Sequence, residues 1–466
     1  MKKIHLLFFV LFVLILASCD SESKHIYPPE NVVNRVTDFY LFNDGKTFLY
    51  LNSNMNREYD FGRLVLMRFD EEGDPVFQNS ILVPSISGKM TVTPDEKAVF
   101  VTSRDENGVV KAKISGKTGS YMVQYDGGTK DDVPEILKTK KEPYALTLNA
   151  DGSKLLVTHI LNGELSVVNV EKWKVVKTSK MKYGVTEIVG ITDTVSNEKS
   201  EYFLASHKSS GNISLIETKE TVDNNFVVAV REMPIDLPTK GYDVRSLKKG
   251  GEDSVFYAAF QNSYSEDSYT NVYDEDTAPQ IVTLKLDDDK SLQVQNTLAL
   301  SGNLGEIAVF SYSTETEESE EPETDDADAD NVTGGDTAEE TDDTEVPDGG
   351  DGVKEADDAD VSDDMEEKSD DGGEENKTAG RTSDLIFVSM PSEEKVVMID
   401  SVRNAVRDEI SYKDDKNECK PYQIYAKKTG NTTGFLFVSC FQNDMVYIYR
   451  IDLTSGQIVK KTGVLK

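Results

Sequence analysis

Two histidines end closely similar strings, Leu155-Leu156-Val157-Thr158-His159 and Phe203-Leu204-Ala205-Ser206-His207, 48 residues apart. Imidazoles at equivalent positions can begin a metal site or supply an acid–base pair, which makes His159 and His207 candidate ligand or metal residues. His5 and His25 lie near the N-terminus and cannot complete such a site. The kindred strings end in Asn52, Ser103, Phe260, Met390 and Cys440, which do not continue a polar ring. Polar packing at a strand end is therefore the expectation for the pair, with no metal and no cofactor. A second candidate is the stretch Gln261–Ala278, where Tyr264, Tyr269 and Tyr273 are interleaved with five acidic residues. Tyrosine gives broad contact area at low entropic cost, so this stretch reads as a candidate recognition loop. Asp326-Ala327-Asp328-Ala329-Asp330-Asn331 imitates a calcium loop but lacks the sixth-position glycine and has Thr337 where the bidentate glutamate belongs. No GxSxG, HExxH, P-loop, GxGxxG after a strand, CxxC or CxxCH motif occurs, and no catalytic residues can be assigned.

The elements that would position these residues are short strands. Residues 143–170 hold three apolar runs, Tyr144–Leu148, Leu155–Thr158 and Leu165–Val170, separated by Asn149-Ala150-Asp151-Gly152 and Asn162-Gly163. Asn and Gly tolerate positive φ, so the stretch predicts an antiparallel meander. Seven copies of its second strand recur, with spacings of 51, 56, 48, 53, 130 and 50 between their last residues. Removing Ser313–Thr382 from the long interval brings every spacing near that of propeller blades. Third strands follow most copies after a small or turn-forming residue; in the second unit Gly119 suggests Tyr121–Tyr125. Helical periodicity is scarce throughout.

In such a repeat the second-to-third-strand loops and the unit-to-unit connections share one face. His159, His207 and the Tyr264 loop would then lie together, and a protein or small-ligand partner is expected on that face. Cys419 precedes the first strand of the last unit and Cys440 ends its second, so pairing the two strands brings the cysteines nearly opposite. A disulfide is expected there, as its Cα atoms must approach within about 7 Å.

The net charge of −35 has mainly one source. Residues 315–375 carry 30 acidic side chains against two lysines, a net of −28, which leaves −7 for the rest of the chain. With few large apolar residues, the insertion 313–382 should be disordered and bind divalent cations only weakly and diffusely. Nucleic acid is excluded as a partner, because no basic stripe exists and the tract would repel phosphate. At the other extreme, Lys2-Lys3, the apolar run Leu6–Leu16 and Leu16-Ala17-Ser18-Cys19 resemble the lipobox of bacterial lipoproteins. The resemblance implies a signal peptide over residues 1–18, lipidation of Cys19, and a tether over 19–34. The chain would sit in a bacterial cell envelope, anchored to the inner or outer membrane and facing periplasm or cell surface.

Pro143 through His159, with its Asn-Ala-Asp-Gly-Ser-Lys turn, and Gly163-Glu164-Leu165-Ser166-Val167-Val168 resemble the YVTN repeat of β-propellers. His159 stands where the family repeat has Asn. The resemblance implies an all-β fold over residues 35–466, a seven-bladed β-propeller of four-stranded antiparallel blades with the acidic insertion in blade six. Lactonases, dehydrogenase-like subunits and envelope binding proteins share that architecture, so it says little about function. With no identifiable catalytic set, a non-enzymatic binding or scaffolding role is expected. A lactonase-like or dehydrogenase-like enzyme with an axial active site is the alternative.

Overall fold

The fold follows from strands that are apolar on two faces. A computed structural model describes residues 25–466 except 127, 129–131, 133, 192–199, 209–210, 221–225, 234, 236, 238–241, 263–277, 315–380 and 414–418. The second strands Thr47–Asn52 and Lys154–His159 are buried at every position, whereas the outer strands Lys174–Lys180 and Ala405–Ser411 are largely exposed. A strand buried on both sides needs a neighbour on each face, and a ring of radially arranged sheets supplies both.

Seven antiparallel sheets form that ring, each a meander running from an inner to an outer strand. Their inner strands are Val36–Leu41, Ser87–Val92, Pro143–Leu148, Val185–Ile191, Tyr242–Lys249, Ile307–Thr314 and Pro421–Lys428, which define blades one to seven. The expected seven-bladed propeller of four-stranded blades is what the chain adopts. In blade six the inner strand is followed by Arg381–Met390, so the acidic insertion separates these two strands.

Seven apolar clusters occupy the seven interfaces between consecutive blades. Strand alternation sorts side chains between them: Leu155 and Val157 pack toward Phe100 of blade two, while Leu156 packs with Phe203 and Ala205 of blade four. The cluster that closes the ring joins Phe39, Phe48 and Tyr50 to Phe437, Val446 and Ile448. Blade seven is completed locally by Gln457–Leu465, so among the described residues closure uses packing and side-chain bonds, with no shared strand. Ser439 Oγ donates to the Val36 carbonyl at 3.0 Å and Lys427 Nζ to that of Leu41 at 2.6 Å.

Two local readings are corrected. The third strand of blade two is Gly108–Ser115, not the stretch after Gly119. Its outer position is shared by two short strands, Met122–Gln124 and Ile136–Lys138, which pair with opposite ends of Gly108–Ser115. Residues 25–34, expected as tether, pack on blade one. Ile26 N donates to Asp60 Oδ2 at 2.8 Å, Arg63 Nε to the Pro28 carbonyl at 2.8 Å, and the Tyr27 and Phe61 rings stack at 5.9 Å.

Cys419 and Cys440 are joined by a disulfide with Cα atoms 5.0 Å apart, where Pro421 pairs with Cys440. It clamps the entry of the closing blade to the end of its second strand. Replacing these cysteines by alanine should destabilise the fold by about 2–4 kcal/mol. Urea unfolding of the double variant beside the wild type measures this, and an unchanged midpoint would show that the apolar cluster closes the ring unaided.

Candidate functional site

Six inner strands carry a β-bulge near their start, between Val36 and Asp38, Ser87 and Met90, Pro143 and Leu146, Val185 and Glu187, Val244 and Ser246, and Pro421 and Gln423. A bulge bends the strand and re-aims side chains. Hydroxyls one residue before the end of the second strand hold it open. Thr102 Oγ1 donates to the Tyr144 carbonyl at 2.9 Å, Thr158 Oγ1 to that of Ala145 at 3.1 Å, and Ser389 Oγ to that of Tyr422 at 3.2 Å. These are the Thr or Ser positions of the repeat strings. They satisfy carbonyls that the interrupted ladder leaves without partners.

The bulged segments project polar side chains toward the axis. Lys89 of blade two reaches across it, with Nζ 2.9 Å from Gln423 Oε1 of blade seven and 3.3 Å from Glu306 Oε1 at the entry of blade six. Glu187 Oε1 of blade four lies 3.7 Å from Lys89 Nζ and 2.5 Å from Lys248 Nζ of blade five. Asp38 of blade one accepts the Met90 amide at 2.8 Å. Five ionisable groups and one amide from six blades thus converge in a nearly buried cluster.

The two glutamates are pushed apart. Burial alone would raise Glu187, but Lys248, Lys89 and the Leu247 amide outweigh it and hold its pKa at about 2. Burial, reinforced by the Glu187 charge, pushes Glu306 up to about 7 against the pull of Lys89 and Lys248. Hydrogen-bond geometry agrees. Ser246 Oγ stands 3.2 Å from Glu187 Oε2 and 3.2 Å from Glu306 Oε2, and accepts the Ile307 amide at 3.1 Å. A serine has one hydrogen to give, so one of the two carboxyls must bring its own. Glu306 is that carboxyl. Burial also raises Asp38, while Lys89 stays charged because Glu306, Glu187 and Asp38 overcome its desolvation.

Above this floor the axis opens into two adjoining cavities of about 310 and 200 Å³. Tyr144, Thr186, Lys208 and Tyr422 line both; Arg245 and Glu306 border the larger and Arg104 the smaller. Arg104 pairs with Glu142 at 2.7 Å and Arg245 with Asp243 at 3.4 Å, yet the Nε of each arginine is buried without a partner. Lys208 Nζ has no hydrogen bond or ion pair among the described residues. Its pKa is lowered by partial burial and by the charges of Arg245 and Arg104, against the pull of Asp243. The mouth thus gathers three cations, Arg104, Lys208 and Arg245, beside the carboxylates of Glu142 and Asp243.

His159 and His207 lie outside this cluster. Each is fully buried at the end of its second strand and is held the same way. His159 Nδ1 is 3.2 Å from the Lys141 carbonyl and Nε2 is 3.0 Å from Ser166 Oγ; for His207 the partners are Tyr183 at 3.0 Å and Ser214 at 2.7 Å. A carbonyl only accepts, so Nδ1 carries the proton and Nε2 accepts the serine hydroxyl. Burial keeps the rings neutral, with His159 pushed down to about 4 and His207 lowered likewise. The two rings are not brought together, and no group of three or more His, Cys, Asp or Glu among the described residues is placed to hold a metal ion. Cys19, Tyr264, Tyr269 and Tyr273 lie outside the described residues, as does most of the acidic insertion.

Comparison with protein-family models and with curated protein sequences gives no match. Among solved structures, Kuenenia stuttgartiensis hydrazine synthase aligns over 92% of this chain and 98% of its own, at 9% identity and a TM-score of 0.54. A Bacteroides fragilis protein proposed to be a 6-phosphogluconolactonase aligns over 80% of this chain and 84% of its own, at 11% identity and a TM-score of 0.44. Dihydro-heme d1 dehydrogenase NirN aligns over 90% of this chain and 64% of its own, at 11% identity and 0.46. At these identities the likeness is one of fold.

The pKa pattern sets a sign for stability against pH. Glu306 is raised above its unfolded value, so the native state holds a proton that the unfolded chain has released between about 4.5 and 7. Stability owed to that proton is lost as pH rises through this window. Glu187 is lowered, so its contribution is present above about 4.5 and fades as pH falls toward 2. E306Q mimics the protonated acid and should gain on the wild type steadily from pH 5 to 7.5 in urea unfolding. A constant difference across that range would place the proton elsewhere.

Proposed function

We propose that the protein is a lipid-anchored β-propeller of a bacterial envelope, built on YVTN-type repeats, that binds a small anionic, hydroxyl-bearing ligand in its axial cavity without transforming it. The observation that carries this reading is Lys208, without a hydrogen bond or ion pair to its ammonium among the described residues, grouped with Arg104 and Arg245 at the mouth of a cavity lined by Tyr144, Thr186, Tyr422, Gln261 and Asn303. Guanidinium and ammonium donors match carboxylate or phosphate, and the hydroxyl and amide groups match a polyol body. A volume of about 310 Å³ stands at the lower end of small-ligand pockets, which fits a ligand of monosaccharide size. The lipobox and the repeat resemblance support the anchored, envelope part of the reading. The acidic insertion adds weak, diffuse affinity for divalent cations.

One observation favours an enzyme of lactonase-like or dehydrogenase-like type. Two carboxyls with pKa values driven apart, one near neutrality and bordering the cavity, are what acid–base catalysis requires. Against it, Lys89 spans the axis and engages Glu306 directly, which ties up the group that would move the proton.

Calorimetric titration of paired probes separates the readings. Glucose 6-phosphate and gluconate should bind where glucose and sorbitol do not, and K208Q should weaken the anions about tenfold or more, in line with a lost charge-assisted hydrogen bond. Equal binding of charged and neutral probes would defeat the anion site. Turnover of any probe or lactone that is abolished by E306Q would replace binding by catalysis.

A further inference from the structure

Blade two departs from the other six at its outer edge, and the departure leaves a main-chain gap. Elsewhere one outer strand runs along the third strand; here Met122–Gln124 and Ile136–Lys138 pair with the two ends of Gly108–Ser115. Among the described residues, Lys111 and Ala112 have no strand partner on that side. Strand alternation says which main-chain groups face the gap. The Ile114 amide donates inward to the Lys97 carbonyl, and the Asn107 carbonyl accepts outward from the Thr139 amide. Lys111 is in step with Asn107, so its N–H and C=O both point outward. No hydrogen bond to either group is found among the described residues.

The gap borders a cavity of about 950 Å³ between blades two and three, which shares no lining residue with the axial cavities. Lys97, Lys111 and Lys113 line it from blade two, and Glu171 and Trp173 from the turn before the outer strand of blade three. Trp173 is the only tryptophan of the chain. It is half-buried, with its ring 5.8 Å from that of Phe100. Lys111 Nζ stands 5.8 Å from the Trp173 ring and 3.4 Å from the Val170 carbonyl. The backbone of Trp173 is anomalous. Its φ is 45°, in the left-handed region, where the same turn of blades six and seven has Asn404 at 47° and Gly456 at 60°. In all three the preceding Asn or Asp side chain bonds the turn: Asn169, Asp400 and Asp452. Asn and Gly tolerate that region, whereas a bulky side chain there is strained. A strained tryptophan left half-exposed in a cavity has its reason outside the packing of the fold.

We propose that this cavity binds a neutral oligosaccharide, with one sugar ring laid against Trp173 and its polar groups bonded to the Lys111 main chain. A pyranose presents a face of C–H groups, which the negative face of an indole attracts. Its hydroxyls both donate and accept, as an open N–H beside an open C=O requires, and an acetamido group serves equally. The ammonium of Lys111 adds a donor beside the ring. Three lysines and four carboxylates line the cavity, so their charges nearly cancel and no strongly charged ligand is favoured. The volume stands at the upper end of small-ligand pockets, which suits a short chain of sugars better than a single one. The site is independent of the axial cavity and of the lipid anchor.

Because Trp173 is the sole tryptophan, selectively excited tryptophan fluorescence reports on this site alone. The full-length chain, labelled and applied to a glycan array, should retain neutral oligosaccharides. Titrating the strongest of them should shift Trp173 emission to the blue and shield it several-fold from acrylamide. Glucose 6-phosphate, the axial probe, should leave that emission unchanged. By calorimetry W173N should weaken the oligosaccharide about tenfold, as expected for one lost aromatic contact, and it should stay folded because Asn404 already occupies the same turn. W173F should keep part of the affinity, and K208Q should keep all of it. An array that retains no neutral glycan overturns the proposal. So does glycan binding that leaves Trp173 emission unmoved, that both Trp173 variants leave intact, or that K208Q abolishes.

Discussion

The constraint on which everything else depends is that each sheet is apolar on both faces. Such a sheet has no stable solution alone or at the end of a stack. Leu155 and Leu156, adjacent in sequence, are buried against different blades. Only a closed ring gives every blade two neighbours, and seven clusters at seven interfaces are that requirement met. Closure here falls to ordinary side chains. Phe437 packs among Phe39, Phe48 and Phe69, and Ser439 and Lys427 reach across to carbonyls of the first strand. A ring sealed this way can open at one seam, and the disulfide in blade seven stiffens the strands beside it.

A closed ring also creates an axis that must be filled. Seven inner strands converge there, and the bulges decide with what. By breaking the inner ladder in six of the blades, they turn polar side chains inward and leave carbonyls that the repeat's Thr and Ser hydroxyls satisfy. The result is Lys89 bridging three blades. Buried ion clusters contribute little net stability against an apolar alternative, while removal of one member strands the others. The axial charges are thus better read as serving the cavity above them. They keep its floor polar and leave Glu306 with a proton near neutrality.

The fold was legible because its determinants are local: period-two apolar runs, Asn-Gly and Asp-Gly turns, and a recurrent spacing of about fifty residues. The axial cluster was not. Asp38, Lys89, Glu187, Lys248, Glu306 and Gln423 come singly from blades far apart in sequence and from inner strands, the least regular of each repeat. A signal does exist. Val185-Thr186-Glu187, Val244-Arg245-Ser246 and Pro421-Tyr422-Gln423 each place polar residues where an inner strand should be apolar, opposite a Ser or Thr in several copies. The histidines were conspicuous because they are rare and equivalent. Their equivalence reflects a shared structural task, clasping a backbone carbonyl and a serine at the strand end.

What separates binding from catalysis at this axis is the partner of Glu306. A general acid must present its proton to a substrate, yet Lys89 lies 3.3 Å from one oxygen of Glu306 while Ser246 engages the other. Movement of Lys89 would be needed to free it, and Gln423, Glu187 and Asp38 all favour the ammonium where it is. The cations at the mouth are held less fully, Arg104 by Glu142 and Arg245 by Asp243, each with its Nε left over. Among the described residues Lys208 has no ion pair to surrender, and the unpaired Nε groups of Arg104 and Arg245 gain a bond by meeting an anion. The energetic asymmetry therefore lies at the mouth: a ligand satisfies groups that are otherwise left wanting there, and must break a satisfied network to reach the carboxyls below.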